Sequence, residues 1–201
     1  MRAQPQTPTV TSPFWSTAAA FGALWGTVEI TLGSFLHTLR VPFTGAILAS
    51  IGAALLVAQR QVAPARGLSL ATAIIAALCK SLSPGGAILG PMIGISVEGL
   101  LVEVALLGMP RFVGSAVLAG ALAAMWAVFQ KVLMQFVLYG GTAIEVYKAV
   151  LKRAGEWLGR ADAGWWIAAV LLAITAAIGA AGSVLGWRVG RDASRALEAS
   201  R

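Results

Sequence analysis

The chain has 201 residues, of which 58% are hydrophobic and only 11% are charged, and its mean hydropathy is +0.82. Soluble domains carry roughly 25% charged residues, so this composition excludes a water-covered globular surface and predicts an integral membrane protein. One cysteine and one histidine exclude an internal disulfide, a cysteine-built metal site and a polyhistidine cage. The net charge of +7 lies in cations that flank apolar stretches, so we attribute it to membrane flanks and predict no nucleic-acid binding.

Six apolar stretches predict a single all-α domain over residues 1–201, a bundle of about six transmembrane helices. Each stretch approaches the ~20 residues that cross a bilayer as a helix, and five or seven spans are the alternative counts. A polar N-terminal tail (1–12) and a basic C-terminal tail (188–201) flank the bundle. The predicted spans are residues 13–36, 43–59, 67–82, 87–108, 112–139 and 164–187.

The segment 142–159, between the fifth and sixth spans, predicts an amphipathic helix that lies in the membrane interface. Thr142 and Glu145 have the spacing of a capping box, in which each side chain satisfies a free backbone N–H of the other residue. A solvated loop is the alternative. The predicted apolar face consists of Ile144, Tyr147, Leu151, Ala154 and Leu158, opposite Glu145, Lys148, Lys152 and Glu156.

The distribution of cations predicts that both termini are cytoplasmic in a multi-pass protein of the cell (inner) membrane, because cytoplasmic loops carry an excess of Lys and Arg. The first, third and fifth loops then face outward. The cations of the amphipathic helix are left out of this count, since such a helix lies on a headgroup layer on either side. The outer side otherwise holds Arg40 and Lys80, and the cytoplasmic side holds Arg2, Arg60, Arg66, Arg111, Arg188, Arg191, Arg195 and Arg201.

Polar side chains inside the spans mark the candidate site, because an ionised group at the bilayer centre costs at least ~2.5 kcal/mol on insertion scales. Such groups occur in the first, fourth and fifth spans, others lie at the outer mouths, and two tryptophans could stack on a ring. We predict that they converge on one cavity that opens to the outside. The candidate substrate-binding residues are Trp25, Glu29, His37, Lys80, Glu98, Trp126, Gln130, Lys131 and Gln135.

Two structural alternatives stand beside this hypothesis. Glu29 and Lys131 would neutralise each other inside the bundle if neither contacts a ligand. Glu98 and Glu103 are five residues apart, which is about 140° around a helix, so at most one of them faces a ligand. We expect Glu103, nearer the cytoplasm, to meet a partner protein instead.

The sequence contains no G-x-x-x-x-G-K-[ST], H-E-x-x-H or G-x-S-x-G motif. We therefore predict that the chain is not an enzyme and binds no cofactor or metal of its own. A passive ion pore would need a continuous polar stripe, and the cytoplasmic halves of the spans are too apolar for one. A small membrane scaffold without a ligand, in which polar residues join helices, stays open as an alternative.

Two local patterns, Ala19-x-x-x-Ala23 and the segment Ser83–Leu107, resemble parts of the substrate-binding S components of energy-coupling factor (ECF) transporters. Ala19-x-x-x-Ala23 resembles the A-x-x-x-A motif through which an S component docks on its transmembrane T component. The segment Ser83–Leu107 (SPGGAILGPMIGISVEGLLVEVALL) is similar to the third loop and fourth helix of S components, particularly those of the thiamine-precursor group. The amphipathic segment 142–159 departs from the family pattern.

The resemblance implies uptake of a vitamin-like small molecule, captured at the outer face under the first and third loops. The chain would then topple in the membrane against the T component, and two ATPase subunits would supply the energy, so ATP would be hydrolysed only by partners. The resemblance implies that Ala19 and Ala23 form the partner interface. Acidic and aromatic residues together favour a cationic or amine-bearing heteroaromatic substrate, although they suit other rings too.

Overall fold

The computed structural model describes residues 13–82, 89–157, 159 and 163–200, and these residues form helices joined by short turns, with no strand among them. The predicted all-α fold is confirmed. The N-terminal tail 1–12 and the third-loop residues 83–88 lie outside the described residues. In chain order, the helices are α1 (Pro13–Thr38), α2 (Thr44–Val62), α3 (Leu68–Lys80), α4 (Leu89–Leu106), α5 (Val113–Tyr139), α6 (Gly141–Trp157) and α7 (Ala163–Ala199).

Five of the helices in the described part of the chain are long and apolar enough to cross a membrane: α1, α2, α4, α5 and α7. The chain is therefore a multi-pass membrane protein. The predicted third span corresponds to α3, which has only 13 residues. At 1.5 Å per residue such a helix is about 20 Å long, short of the ~30 Å hydrocarbon core.

Helix α2 is the centre of the bundle, since 61% of its apolar window is buried, more than in any other spanning helix of the described residues. Small residues at four-residue spacing on α7 pack against small residues on α2. Added Cβ atoms at Gly186 and Gly190 would stand 2.6 Å from Ala54 Cα and 2.7 Å from Ala58 Cα. Such spacing lets two backbones approach closely, and the rising residue numbers show that α2 and α7 run parallel.

Helices α1 and α3 also pack through small residues. Gly22 of α1 faces Ile75 of α3, and Gly26 faces Cys79, so these two helices run in the same direction. Gly99 of α4 lies against Ala73, and Glu103, one turn later, bonds to Gly67 and Ser69, so α4 runs antiparallel to α3. Helices α1 to α5 share one hydrophobic core, and the aromatic side chain buried in it, among the described residues, is Trp25. Ala, Val, Leu and Ile side chains form the rest of this core.

A buried carboxylate on α4 holds the beginning of α3. Glu103 accepts hydrogen bonds from the backbone N–H groups of Gly67 (2.7 Å) and Ser69 (3.0 Å), and its Oε1 lies 3.7 Å from the Arg60 guanidinium. Glu103 thereby satisfies two of the free N–H groups at the start of α3, which has no side-chain cap of its own. The expectation that Glu103 meets a partner protein is wrong, because only 6% of it is exposed.

The same contact changes the cation count that predicts orientation. The Arg60 side chain is 2% exposed and faces Glu103, so Arg60 is an internal partner and not a cation of the membrane flank.

Helix α6 begins at Gly141, immediately after Gly140 (φ 61°) ends α5, so Thr142 lies within the first turn and not at the cap. No hydrogen bond joins Thr142 to Glu145 within the described residues, and the predicted capping box is wrong. Most α6 side chains are exposed, and its contacts run to α5 and α7. Helix α7 continues to Ala199, so most of the predicted C-terminal tail is helical.

Candidate binding cavity

A cavity of about 330 Å³ lies between α1, α2, α4 and α5. It occupies the end of the bundle where α1 and α5 finish and where α2 and α4 begin. It is lined by Glu29, His37, Gly45, Leu48, Gly90, Pro91, Gly94, Ile95, Glu98, Ala127, Gln130, Lys131, Met134 and Leu138. The volume is at the small end of ligand pockets, which measure roughly 300–1,000 Å³.

Five of the nine predicted substrate-binding residues line this cavity, and they come from three helices. Helix α1 contributes Glu29 and His37, α4 contributes Glu98, and α5 contributes Gln130 and Lys131. The lining therefore combines two carboxyl groups, one amine, one imidazole and one amide within an otherwise apolar wall. Such a wall can bind a small dipolar molecule and fix its orientation.

Glu98 has the least satisfied of these polar groups. The residue is 7% exposed, and its Oε2 atom is buried without a hydrogen-bond partner in the described structure. Buried polar atoms in folded proteins nearly always have a partner, because an unpaired one loses its hydration without compensation. An unpaired carboxylate oxygen that belongs to a cavity wall can accept a hydrogen bond from an N–H, O–H or ammonium group of a ligand.

Gln130 and Lys131 are neighbours on α5 whose side chains reach different helices. The Gln130 amide donates a hydrogen bond to the backbone carbonyl of Gly90 on α4. Its side chain crosses Gly94, where an added Cβ would overlap it, so the glycine makes room for this bond. The Lys131 ammonium lies against Gly45 of α2, 3.5 Å from the position of an added Cβ. Lys131 thus supplies a positive charge on the wall formed by α2 and α5.

Glu29 has its nearest cationic neighbour on α3. The Lys80 ammonium donates a hydrogen bond of 2.8 Å to the backbone carbonyl of Glu29. Glu29 Oε2 and Lys80 Nζ lie 3.8 and 3.7 Å from the position of an added Cβ at Gly33. Because no ion pair joins Glu29 to Lys131 within 4.0 Å among the described side chains, the structure does not form the alternative Glu29–Lys131 pair.

Four predicted site residues do not line the cavity. Trp25 is fully buried in the core against Gly52, Lys80 bonds the α1 backbone, and Gln135 accepts a hydrogen bond from the Tyr147 hydroxyl of α6. The ring of Trp126 packs on Phe129, with centroids 5.5 Å apart. The indole N–H groups of Trp25 and Trp126 are buried without a hydrogen-bond partner in the described structure, and Gln135 lines a separate cavity between α5 and α6.

The first and third loops, under which the resemblance places the substrate, differ in how much of them the structure describes. The third loop falls largely on residues 83–88, outside the described part of the chain. The first loop is short, and two of its residues, Arg40 (φ 52°) and Phe43 (φ 60°), adopt the left-handed backbone that favours glycine. This conformation turns the chain sharply from α1 into α2 beside Gly45 of the cavity wall.

The sequence reasoning missed the apolar part of the wall. Gly45 and Leu48 of α2 and Met134 and Leu138 of α5 carry no chemical signal that separates them from lipid-facing or core residues. Gly90 and Gly94 do carry a signal, since they form a glycine stripe one and two turns before Glu98.

No group of three or more His, Cys, Asp or Glu side chains that could hold a metal ion occurs among the described residues. The comparisons found no match for the chain among protein-family models, curated proteins or solved structures. The fold and the cavity therefore define the class, a multi-pass α-helical membrane protein with a polar cavity inside the bundle.

Proposed function

We propose that the chain is a membrane-embedded substrate-binding subunit for the uptake of a vitamin-like small molecule. The observation that carries the proposal is the unpartnered Glu98 Oε2 in a cavity to which three helices contribute ionisable or amide side chains. A bilayer-embedded protein retains such groups at a cost, and they commonly mark substrate pathways. The carboxyl groups favour a ligand with a cationic or amine-bearing ring, and Lys131 favours an acceptor at its other end.

The partners in this proposal are the T component and ATPase subunits of an ECF module. This choice of partners rests on the resemblance of the sequence to ECF S components, and one feature of α1 supports it. Ala19 and Ala23 are exposed on the face of α1 that points away from the bundle, and the Thr27 hydroxyl donates a hydrogen bond of 2.8 Å to the Ala23 carbonyl. A face of small residues with its hydroxyl already satisfied suits close packing against a helix of another protein.

The topology in this proposal has six crossings with both termini in the cytoplasm of a cell (inner) membrane. Support for a sixth crossing comes from α3, which runs parallel to α1 and antiparallel to α4 and so leads from one end of the bundle to the other. Its neighbours shelter its first turn and one of its faces, since the buried residues of α3 are Leu68, Ser69, Thr72, Ala73, Ala76 and Ala77. The cavity then opens outward.

Helix α6 is proposed to lie in the outer interface. Its 17 residues are mostly exposed, and they combine apolar side chains such as Val146 and Val150 with Lys148 and Lys152. A helix of this composition is stable where one face contacts acyl chains and the other contacts headgroups.

The test is ligand binding by the purified chain without ATPase or T-component proteins. Native mass spectrometry of the protein as isolated should show a retained small molecule, and thiamine and its pyrimidine precursor are the first probes to titrate. Glu98→Gln and Glu29→Gln should each weaken binding, since a desolvated, hydrogen-bonded charge contributes roughly 2–5 kcal/mol. Glu156→Gln, on the exposed face of α6, is the matched control and should bind as the unmodified protein does.

Two results would contradict the proposal. If Glu156→Gln weakened binding as much as Glu98→Gln, the cavity would not be the binding site. The second result is that no small molecule is retained by the protein as isolated and that no vitamin or precursor of a panel binds to it, while the variants remain folded. The scaffold function would then replace the substrate-binding function.

A further inference from the structure

A second polar cavity, of about 220 Å³, lies at the end of the bundle opposite to the first. Arg111 precedes the first turn of α5, whereas the first cavity uses residues from the last half of that helix. The lining of the second cavity contains three arginines and one carboxylate, so the net charge of this cavity is positive. The lining residues are Gln61, Arg111, Arg191, Ser194, Arg195 and Glu198.

The wall of this second cavity is held by side-chain bonds to the loop between α4 and α5. Gln61 donates a hydrogen bond of 2.6 Å to the carbonyl of Pro110, and Trp187 of α7 donates one of 2.9 Å to the carbonyl of Arg111. The Arg191 guanidinium lies 4.6 Å from the centroid of the Trp187 ring, within the range of a cation–π contact. The loop is thereby fastened to α2 and α7, with Arg111 and Arg191 beside the same space.

Gln61 presents an unpaired hydrogen-bond acceptor at this second cavity. The residue is 2% exposed, and its Oε1 atom is buried without a partner in the described structure, although its Nε2 atom is bonded. An amide oxygen in that position can accept a hydrogen bond from a hydroxyl group. The cavity therefore offers guanidinium groups for an anion and one acceptor for an adjacent hydroxyl.

We propose that this second cavity binds the phosphate group of an anionic phospholipid whose headgroup carries a hydroxyl, such as phosphatidylglycerol. Guanidinium groups match phosphate oxygens in charge and in geometry. Basic pockets between transmembrane helices are suited to anionic headgroups. Phe112 and Val189, 57% and 64% exposed, flank the arginines and provide apolar surface for the acyl chains.

The acidic residues near this second cavity do not remove its positive charge. Arg195 lies 3.6 Å from Asp192, but both side chains are more than 60% exposed, so the pair is weak and Arg195 can turn to a phosphate. Glu198 is the single carboxylate of the lining, against three guanidinium groups.

The experiment is lipid retention by the full chain, measured by native mass spectrometry after incubation in micelles that contain phosphatidylcholine and phosphatidylglycerol. The protein should keep phosphatidylglycerol in preference to phosphatidylcholine. Arg191→Gln and Arg195→Gln should each lower its affinity roughly fivefold. Arg153→Gln, an exposed cation of α6, is the control and should change nothing. Arg195 is exposed, so its variant stays informative if Arg191→Gln fails to fold.

Separate arms identify the source of the phosphate. Inorganic phosphate, tested as a competitor, should not displace the lipid, because it lacks the acyl chains. Displacement at equal concentration would overturn the lipid assignment in favour of a soluble anion. Equal losses in Arg153→Gln and Arg195→Gln would overturn the site itself, since general surface charge would then explain the retention.

Discussion

The Lys80 ammonium donates a hydrogen bond of 2.8 Å to the backbone carbonyl of Glu29 and so joins the last turn of α3 to α1. The contact brings a cation next to a residue that is only 7% exposed and that lines the candidate binding cavity. A buried carboxylate without a nearby cation is strongly destabilising. Lys80 therefore belongs to the support of the cavity and not to its wall.

Lys80→Met should destabilise the fold by roughly 1–3 kcal/mol, because the carbonyl and the carboxyl group of Glu29 both lose their cationic neighbour. The free energy of unfolding in mixed micelles is the measurement. In a double-mutant cycle, Glu29→Gln should recover much of the loss, since the neutral amide needs no cation. An undiminished cost of Lys80→Met in the Glu29→Gln background would show that the two residues are not coupled.

Glu103→Ala should destabilise the fold by roughly 3–5 kcal/mol, because it leaves the buried Arg60 unpaired and removes the cap of α3. Equilibrium unfolding measures the change, with Glu156→Ala on exposed α6 as the control. Glu103→Gln should affect ligand binding much less than Glu29→Gln, because Glu103 does not line the cavity. Equal binding losses in these two variants would mean that the cavity has been misassigned.

Gly186→Ala should cost roughly 1–3 kcal/mol of stability, because the added Cβ would stand against the Ala54 backbone, which cannot rotate out of the way. Gly141→Ala is the matched control, since nothing lies within 4 Å of an added Cβ there. Thermal unfolding in detergent separates the two variants. Equal unfolding temperatures would show that α2 and α7 do not pack through this contact.

Hydropathy predicts the part of a helix that lies in the hydrocarbon core, because only that part must be apolar. The fifth span, predicted at residues 112–139, forms α5 at Val113–Tyr139, because apolar residues occur along its whole length and Lys131 is its single charged residue. The sixth was predicted to end at residue 187, yet α7 continues for three further turns. The residues after 187 are too polar for the apolar window, but they include strong helix formers such as Ala193, Ala196 and Leu197, so the helix continues. The apolar pattern therefore locates the crossing and not the end of the helix.

The cavity could be predicted only in part, for a related reason. Intramembrane charge indicates that Glu29 and Glu98 are important, but the rotation of each helix decides what a side chain meets. Trp25, one turn from Glu29, turns into the core over Gly52, and Gln135 turns toward Tyr147 of α6. Those contacts join residues far apart in the sequence, and nothing in their local spacing indicates them.

A reporter fused after Arg201 should be active only in the cytoplasm. The remaining cations at that end of the bundle, among them Arg111, Arg191 and Arg195, favour this orientation even without the buried Arg60. A paired fusion in the first loop after Leu39 should report the outer side. Activity of the Arg201 fusion outside the cytoplasm would reverse the orientation and would turn the mouth of the binding cavity inward.

Ala23→Trp should leave ligand binding intact and abolish uptake, because an indole on the small-residue face of α1 would hold a partner helix away. The Ala23 side chain is exposed and points out of the bundle, so the fold has no reason to change. Ala181→Trp, at an exposed alanine of α7, is the matched control and should transport normally. Uptake by cells and pull-down of the T component are the two measurements. If the T component bound Ala23→Trp as well as it bound Ala181→Trp, α1 would not be the docking helix.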